Sequence, residues 1–281
     1  MSVEWAGAAA MLGSAFCHSF VGLLTKQAKD KLVFRSVLML IAAAVFSPAL
    51  FLFPVPPVEA WRFLIAGMAI HFVFQMAMIS AFQRGDMNLV YPVMRGAAPA
   101  LAAIAAFVIL QESLSLIEIG GLALATLAIL GFSWPDKTRI PKAKALGFAF
   151  LAASMTALYS VNDASGVRAT GNALSYVAWF FLLTSLPILI TALLRRGRAW
   201  PNIARQELKR GLIAGTVGGL SYVFALYAFS IAPVAPMAAM RETSIVFGAI
   251  LAALVLKEPF GVRRSVLAIL LAAGLVILQV G

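Results

Sequence analysis

Apolar stretches of about 20 residues alternate along the whole chain with short polar breaks. About 20 predominantly apolar residues is what one helix needs to cross the hydrocarbon layer of a bilayer. The pattern predicts ten such helices, at about 5–25, 33–53, 61–82, 88–110, 116–134, 144–163, 172–194, 210–230, 235–256 and 264–280. The breaks carry turn chemistry: Lys29-Asp30-Lys31, Pro54-Val55-Pro56-Pro57, Arg84-Gly85-Asp86, Pro135-Asp136-Lys137 and Arg195-Arg196-Gly197. No break is long enough for a soluble domain. The fold class this predicts is an all-α membrane protein.

Composition agrees. Of 281 residues, 62% are hydrophobic and 12% charged, against about 45–50% and about 25% in soluble domains. Such a chain has too little polar surface to cover one water-soluble core, which excludes a soluble enzyme and a nucleic-acid binder. The single cysteine, Cys17, excludes a disulfide framework and a Cys-based metal site. The start, Met1-Ser2-Val3-Glu4, has no basic residue and so no signal-peptide n-region, and the first apolar run is expected to be retained.

The net charge of +11 is read through the positive-inside rule. Eighteen of the 22 lysines and arginines fall on the side reached after odd-numbered spans, including Lys26 to Arg35, Lys137 to Lys144 and Arg195 to Arg210. Only Arg62 and Arg168 fall opposite, and Arg95 and Arg241 lie inside spans. The crowded side is expected to be cytoplasmic, with both termini outside a cell inner (plasma) membrane.

The two halves repeat. Met94-Arg95 is followed 17 residues later by Glu112, and Met240-Arg241 is followed 17 residues later by Glu258. Ala81-Phe82 matches Ala228-Phe229 at nearly the same offset, and Gly7 through Ser14 matches Gly147 through Ser154. Five spans per half is an odd number, so the second half is inserted upside down relative to the first. Residues 1–135 and 143–281 are thus expected to be two inverted five-helix repeats, an architecture that places a substrate near the midplane.

Ten spans in two halves, with small-residue helices ending in Gln111-Glu112-Ser113-Leu114-Ser115 and Lys257-Glu258-Pro259-Phe260, resemble the drug/metabolite transporter superfamily, and within it the EamA-type permeases. Gln111 and Lys257 stand where that signature has glycine. A narrower set, His18, Lys26, Asp30-Lys31, Arg84-Gly85-Asp86, Tyr91 to Gly96 and Asp163 to Arg168, is similar to bacterial membrane proteins associated with phosphonate utilisation. Val21-Gly22 departs from the Trp-Asn of those relatives. The resemblance implies a non-enzymatic permease, with cytoplasmic termini in many members, opposite to the charge count.

Enzyme motifs are absent: no phosphate-binding Gly-Lys loop, no Gly-x-Ser-x-Gly elbow and no His-Glu-x-x-His. Without an ATP site, transport must be driven by a gradient or run downhill. Ionisable and polar groups at membrane depth are the candidate substrate ligands: Arg95, Arg241, His71, Gln75, His18, Tyr159 and Asn162. Pro92, Gly96 and Pro99 are expected to bend the helix around Arg95. His18, His71, Glu242 and Asp163 are the proton-coupling candidates, histidine because it titrates near neutrality. Each has a plainer alternative. The arginines can snorkel to headgroups. Glu242 can pair with a neighbouring cation, and Asn162 with Asp163 can cap a helix end. The histidines can be hydrogen-bonded core residues. Phe74, Trp179, Phe180 and Tyr222 read as packing or lipid-facing aromatics.

The expectation is a secondary transporter of a small anionic or zwitterionic metabolite, organophosphonate or amino-acid-like, working by alternating access. Its partners are the lipid bilayer, the small-molecule substrate and a coupling proton, with no cofactor, metal or nucleic acid. An exporter of aromatic or cationic amphiphiles competes within transport, although Glu4 is the sole carboxylate in the first span. From another class, a non-transporting scaffold subunit competes.

Overall fold

The computed structural model describes residues 3–85, 87–132, 143–256 and 261–280, which are helical apart from short connections, with no strand among them. In order they form α1 (Val3–Gln27), α2 (Lys31–Phe46), α3 (Ala49–Leu52), α4 (Val58–Arg84), α5 (Met87–Ala105) with a π-helical end at Ala106–Leu110, and α6 (Leu116–Phe132). Then come α7 (Ala143–Thr170), α8 (Ala173–Arg196), α9 (Trp200–Ile231), α10 (Val234–Arg241), α11 (Ser244–Leu256) and α12 (Gly261–Val280). Among the described residues, six stretches are long and apolar enough to cross a membrane: Trp5–Thr25, Lys31–Leu52, Val58–Ala81, Val93–Leu110, Ala143–Thr170 and Ala173–Ile231. Leu116–Gly131 and Ser265–Val280 are shorter apolar helices.

The breaks obey local chemistry. Asp30 caps α2 through its Oδ1, which accepts from the Leu32 and Val33 amides at 3.1 and 3.2 Å. Asn172 caps α8 in the same way. Gly197, at φ +51°, parts α8 from α9 in a conformation that a side chain would strain. The turn signals Asp86 and Pro135 to Lys137, and the signature residues Lys257 to Phe260, lie outside the described residues.

Two helices are longer than the apolar pattern suggests. α7 runs on to Thr170, and α9 begins at Trp200 rather than near 210. Polar residues continue a helix as readily as apolar ones, so hydropathy marks the membrane-embedded part and not the helix. Pro201, in the first turn of α9, is compatible with that early start. α5 is helical without interruption from Met87 to Ala105, so the helix does not break around Arg95. The departure from α geometry comes later, in the π-helical turn.

The chain packs as two compact units, each drawing helices from both sequence halves. One comprises Met1–Phe72 and Asn162–Ile231. Here α9 packs on both α1 and α2, and α2 on α8. The sequence pattern of Gly211, Gly215, Gly218 and Gly219 predicts close approach, and three of the four lie against α2. A Cβ on Gly215 would fall 2.7 Å from the Leu38 carbonyl oxygen, and one on Gly219 would overlap the Phe46 ring. Lipid tails are as apolar as leucine, so such backbone proximity, not hydrophobic exclusion, drives the contact. Ser221 Oγ donates to the Ser14 carbonyl at 2.7 Å, tying α9 to α1.

The other unit comprises Val73–Val161 and Ala232–Gly281. α6 and α12 meet backbone on backbone at Gly121 and Gly274, where a Cβ on either would lie within 2.8 Å of the facing main chain. Ala102, Ala157 and Ala238 form a small-residue contact among α5, α7 and α10. Ala77, Ala81, Val90, Met94, Ala145, Ala149 and Ala152 form a hydrophobic cluster of α4, α5 and α7. Large apolar side chains such as Phe51, Leu116, Leu194 and Ile269 point outward, the reverse of a water-soluble surface.

Candidate functional site

Among the described residues, each unit buries a cluster of polar side chains that the sequence singled out. In the unit with α5 and α10, Nη1 of Arg95 donates to Oε1 of Glu242 at 3.1 Å. Glu242 sits where α10 gives way to α11. There the Glu242 and Thr243 amides bond to the Ala239 and Met240 carbonyls, three residues back, at 3.1 and 3.0 Å. This tight turn interrupts the helix and presents Arg241, Glu242 and Ser244 together, all buried. Among the described residues, Glu242 Oε2 and Ser244 Oγ have no hydrogen-bond partner. Arg241 has none among them either; its guanidinium carbon lies 5.9 Å from the centre of the Tyr159 ring. Tyr159 stands edge-on to Phe74 at 5.4 Å.

Both guanidiniums act on the Glu242 carboxylate. With all three groups ionised, the cluster carries one positive charge in excess. Burying an ion with partial compensation is expensive. The Glu112 carboxylate supports the turn from a distance by accepting the Val234 amide at 2.7 Å, which anchors the start of α10.

In the unit with α8 and α9, Asp163 is the centre. It is 1% exposed. Its Oδ2 accepts from the Tyr222 hydroxyl at 2.5 Å and faces His71 Nε2 at 2.9 Å. Its Oδ1 accepts from Asn162 Nδ2 at 3.2 Å, and that amide also donates to the Phe63 carbonyl at 2.9 Å. Gly67, one turn before His71, makes the room: a Cβ there would lie 3.1 Å from Asn162 Nδ2 and 3.4 Å from Asp163 Oδ1. Phe180 stacks on Tyr222 at 4.3 Å and stands edge-on to His71 at 4.7 Å, giving the cluster an apolar wall.

The expected candidates therefore separate. Arg95, Arg241, Tyr159 and Glu242 come together in one unit, and His71, Asn162 and Asp163 in the other. Asp163 does not cap a helix end, because α7 continues a further seven residues to Thr170. Gln75 is fully buried on α4, and His18 is half-buried on α1.

Tyr222 is the residue that the sequence pattern passes over. An aromatic in an apolar span reads as packing, and only its hydroxyl, aimed at a carboxylate 59 positions away, distinguishes it. Glu207, 2% exposed, is a second such case, and its role is structural, since it accepts the Lys29 amide at 3.1 Å.

The model of the EamA-like transporter family matches residues 5–134 and again 143–280. A solved structure described only as the crystal structure of a protein superposes with a TM-score of 0.79, covering 100% of this chain and 99% of that one. At 17% identity that likeness is one of fold alone. No curated protein matches. Matched over both of its halves, the chain belongs to the EamA-like transporter family, as a multi-pass membrane protein and not an enzyme.

Proposed function

We propose that the chain is a secondary, ATP-independent carrier of a small anionic or zwitterionic metabolite, working by alternating access. In this reading ten spans form two oppositely inserted repeats, residues 1–135 and 143–281. A family model that matches once on each half supports the division. The lysine and arginine asymmetry supports termini on the non-cytoplasmic side of the plasma membrane.

One observation carries the substrate class: the buried helix interruption at Arg241-Glu242-Thr243-Ser244. Interrupted helices are where secondary carriers commonly hold substrate. Here Arg241 offers donors to a carboxylate or phosphonate, Ser244 Oγ adds a short polar contact, and Glu242 Oε2 offers an acceptor to an ammonium. Arg95 holds the other oxygen of Glu242 in place. Asp163, the carboxylate that a cationic amphiphile would seek, already accepts from Tyr222 and Asn162 and faces His71.

The test is a thermal-shift and proteoliposome-uptake comparison of alanine, aspartate and 2-aminoethylphosphonate with the cation tetraphenylphosphonium. Stabilisation and uptake of one or more of the first three are expected, with affinity reduced about tenfold to a hundredfold in Arg241→Lys, since hydrogen bonds to charged groups contribute about 1.5–3 kcal/mol. Binding of tetraphenylphosphonium alone refutes the reading.

A further inference from the structure

We infer that the His71–Asp163 pair, with Tyr222, is a proton-binding site that couples the carrier to a proton gradient. The inference rests on the transport reading above for its purpose, but the site itself stands on geometry within one unit.

Charge and hydrogen-bond direction together define the proton count of the cluster. The Tyr222 hydroxyl and the Asn162 amide both aim hydrogens at the Asp163 carboxyl, an arrangement that suits an ionised acceptor. With Asp163 ionised, an imidazolium at His71 makes the pair neutral, with His71 Nε2 as the third donor at 2.9 Å. Loss of one proton from the imidazole leaves a net negative charge buried at 1% exposure. Gain of a second proton leaves a net positive one. The pair is therefore neutral when it holds one dissociable proton. A change of that count inside an apolar span is costly unless water or a counter-charge arrives with it. Such a site binds a proton in one arrangement of the surrounding helices and releases it in another. An ordinary core histidine lacks this property, because its neutral form faces no buried anion.

The groups that face the pair come from several helices. On α4 the facing group is His71 itself, and on α7 it is Asp163 with the neutral Asn162. From α9 comes Tyr222, and from α8 comes Tyr176, whose buried hydroxyl also faces Asp163. Both are phenols, which stay protonated near neutral pH. Arg168, farther along α7, bonds through Nε to the Phe229 carbonyl at 2.9 Å. On α1, His18 is the other histidine.

That the chain has just two histidines makes the test direct. The full-length protein, labelled with ¹⁵N in its histidine rings and reconstituted in lipid, is titrated by NMR, with the His18 signal assigned through His18→Gln. The expected result is a His71 ring that passes between imidazolium and neutral forms in one step, with a midpoint displaced in Asp163→Asn and in Tyr222→Phe. A His71 ring that stays in one protonation form across the titration overturns the inference, whatever the carrier transports. A second arm uses alanine, aspartate and 2-aminoethylphosphonate in proteoliposomes. It compares uptake driven by a pH gradient with exchange at equal pH. In the wild type the ratio of the two is well above one. In His71→Gln, which retains an amide donor for Asp163, it falls to one. A ratio unchanged by His71→Gln overturns coupling at this site. Absence of uptake of every probe by the wild type counts against the substrate reading, and the NMR titration then decides the proton site on its own.

Discussion

Arg95 and Glu242, 147 positions apart in sequence, form an ion pair at 3.1 Å with side chains only 16% and 3% exposed. The residues singled out by the repeat are Arg95 and Arg241, yet the structure pairs Arg95 with the neighbour of its repeat-mate. One arginine thereby holds the carboxylate, and Arg241 keeps its donors.

Removing one partner of a buried pair leaves a stranded charge, at a cost of about 3–5 kcal/mol. Arg95→Leu is expected to lower the melting temperature in detergent markedly. Glu242→Leu takes the carboxylate from two guanidiniums, Arg95 and Arg241, and should lower it further than Arg95→Leu, which leaves Glu242 beside Arg241. A single variant that melts like the wild type would show that the pair contributes little.

The glycine face of α9 makes a sharper packing prediction. Gly215→Leu must displace backbone, because its Cβ falls 2.7 Å from the Leu38 carbonyl oxygen, and overpacking of this kind costs about 1–3 kcal/mol. Gly218→Ala places its Cβ at ordinary contact distance, 3.5 Å from Val21, and should melt like the wild type. Equal melting of both variants would contradict the α2–α9 contact.

At the start of α2, burial pushes the Asp30 carboxyl up. The Arg196 guanidinium at 2.6 Å and the Val33 and Leu32 amides outweigh this, and hold it below the ordinary value of 3.8. A carboxyl with a depressed folded-state pKa contributes stability that is fully present above the unfolded value and is lost as pH falls through the folded one. The contribution should therefore persist at neutral pH and fade below about pH 4. Melting curves across that range should show a smaller acid-induced loss in Arg196→Gln than in the wild type.

Glu112 anchors α10 through the Val234 amide at 2.7 Å. Replacing it with Ala leaves that amide without its acceptor, a loss of about 1.5–3 kcal/mol for a hydrogen bond to a charged group. Faster hydrogen exchange over Val234 to Met237 is the expected readout. Unchanged exchange there would show that α10 is held by packing alone.

The apolar pattern by itself determined that the chain is helical and membrane-embedded, because the bilayer imposes one length and one polarity on anything that crosses it. It also determined which residues stand out chemically, since an arginine, histidine or carboxylate in an apolar run is conspicuous at any position. The small-residue face of α9 was legible for the same reason: four glycines at helical spacing have little use other than close approach. Tertiary structure alone decided who meets whom. No local signal states that Glu242 turns to Arg95, that Tyr222 aims its hydroxyl at Asp163, or that the helix interruption falls beside Arg241 and not around Arg95. Those choices depend on how helices distant in sequence pack and which buried charge each can compensate, and both are properties of the folded chain.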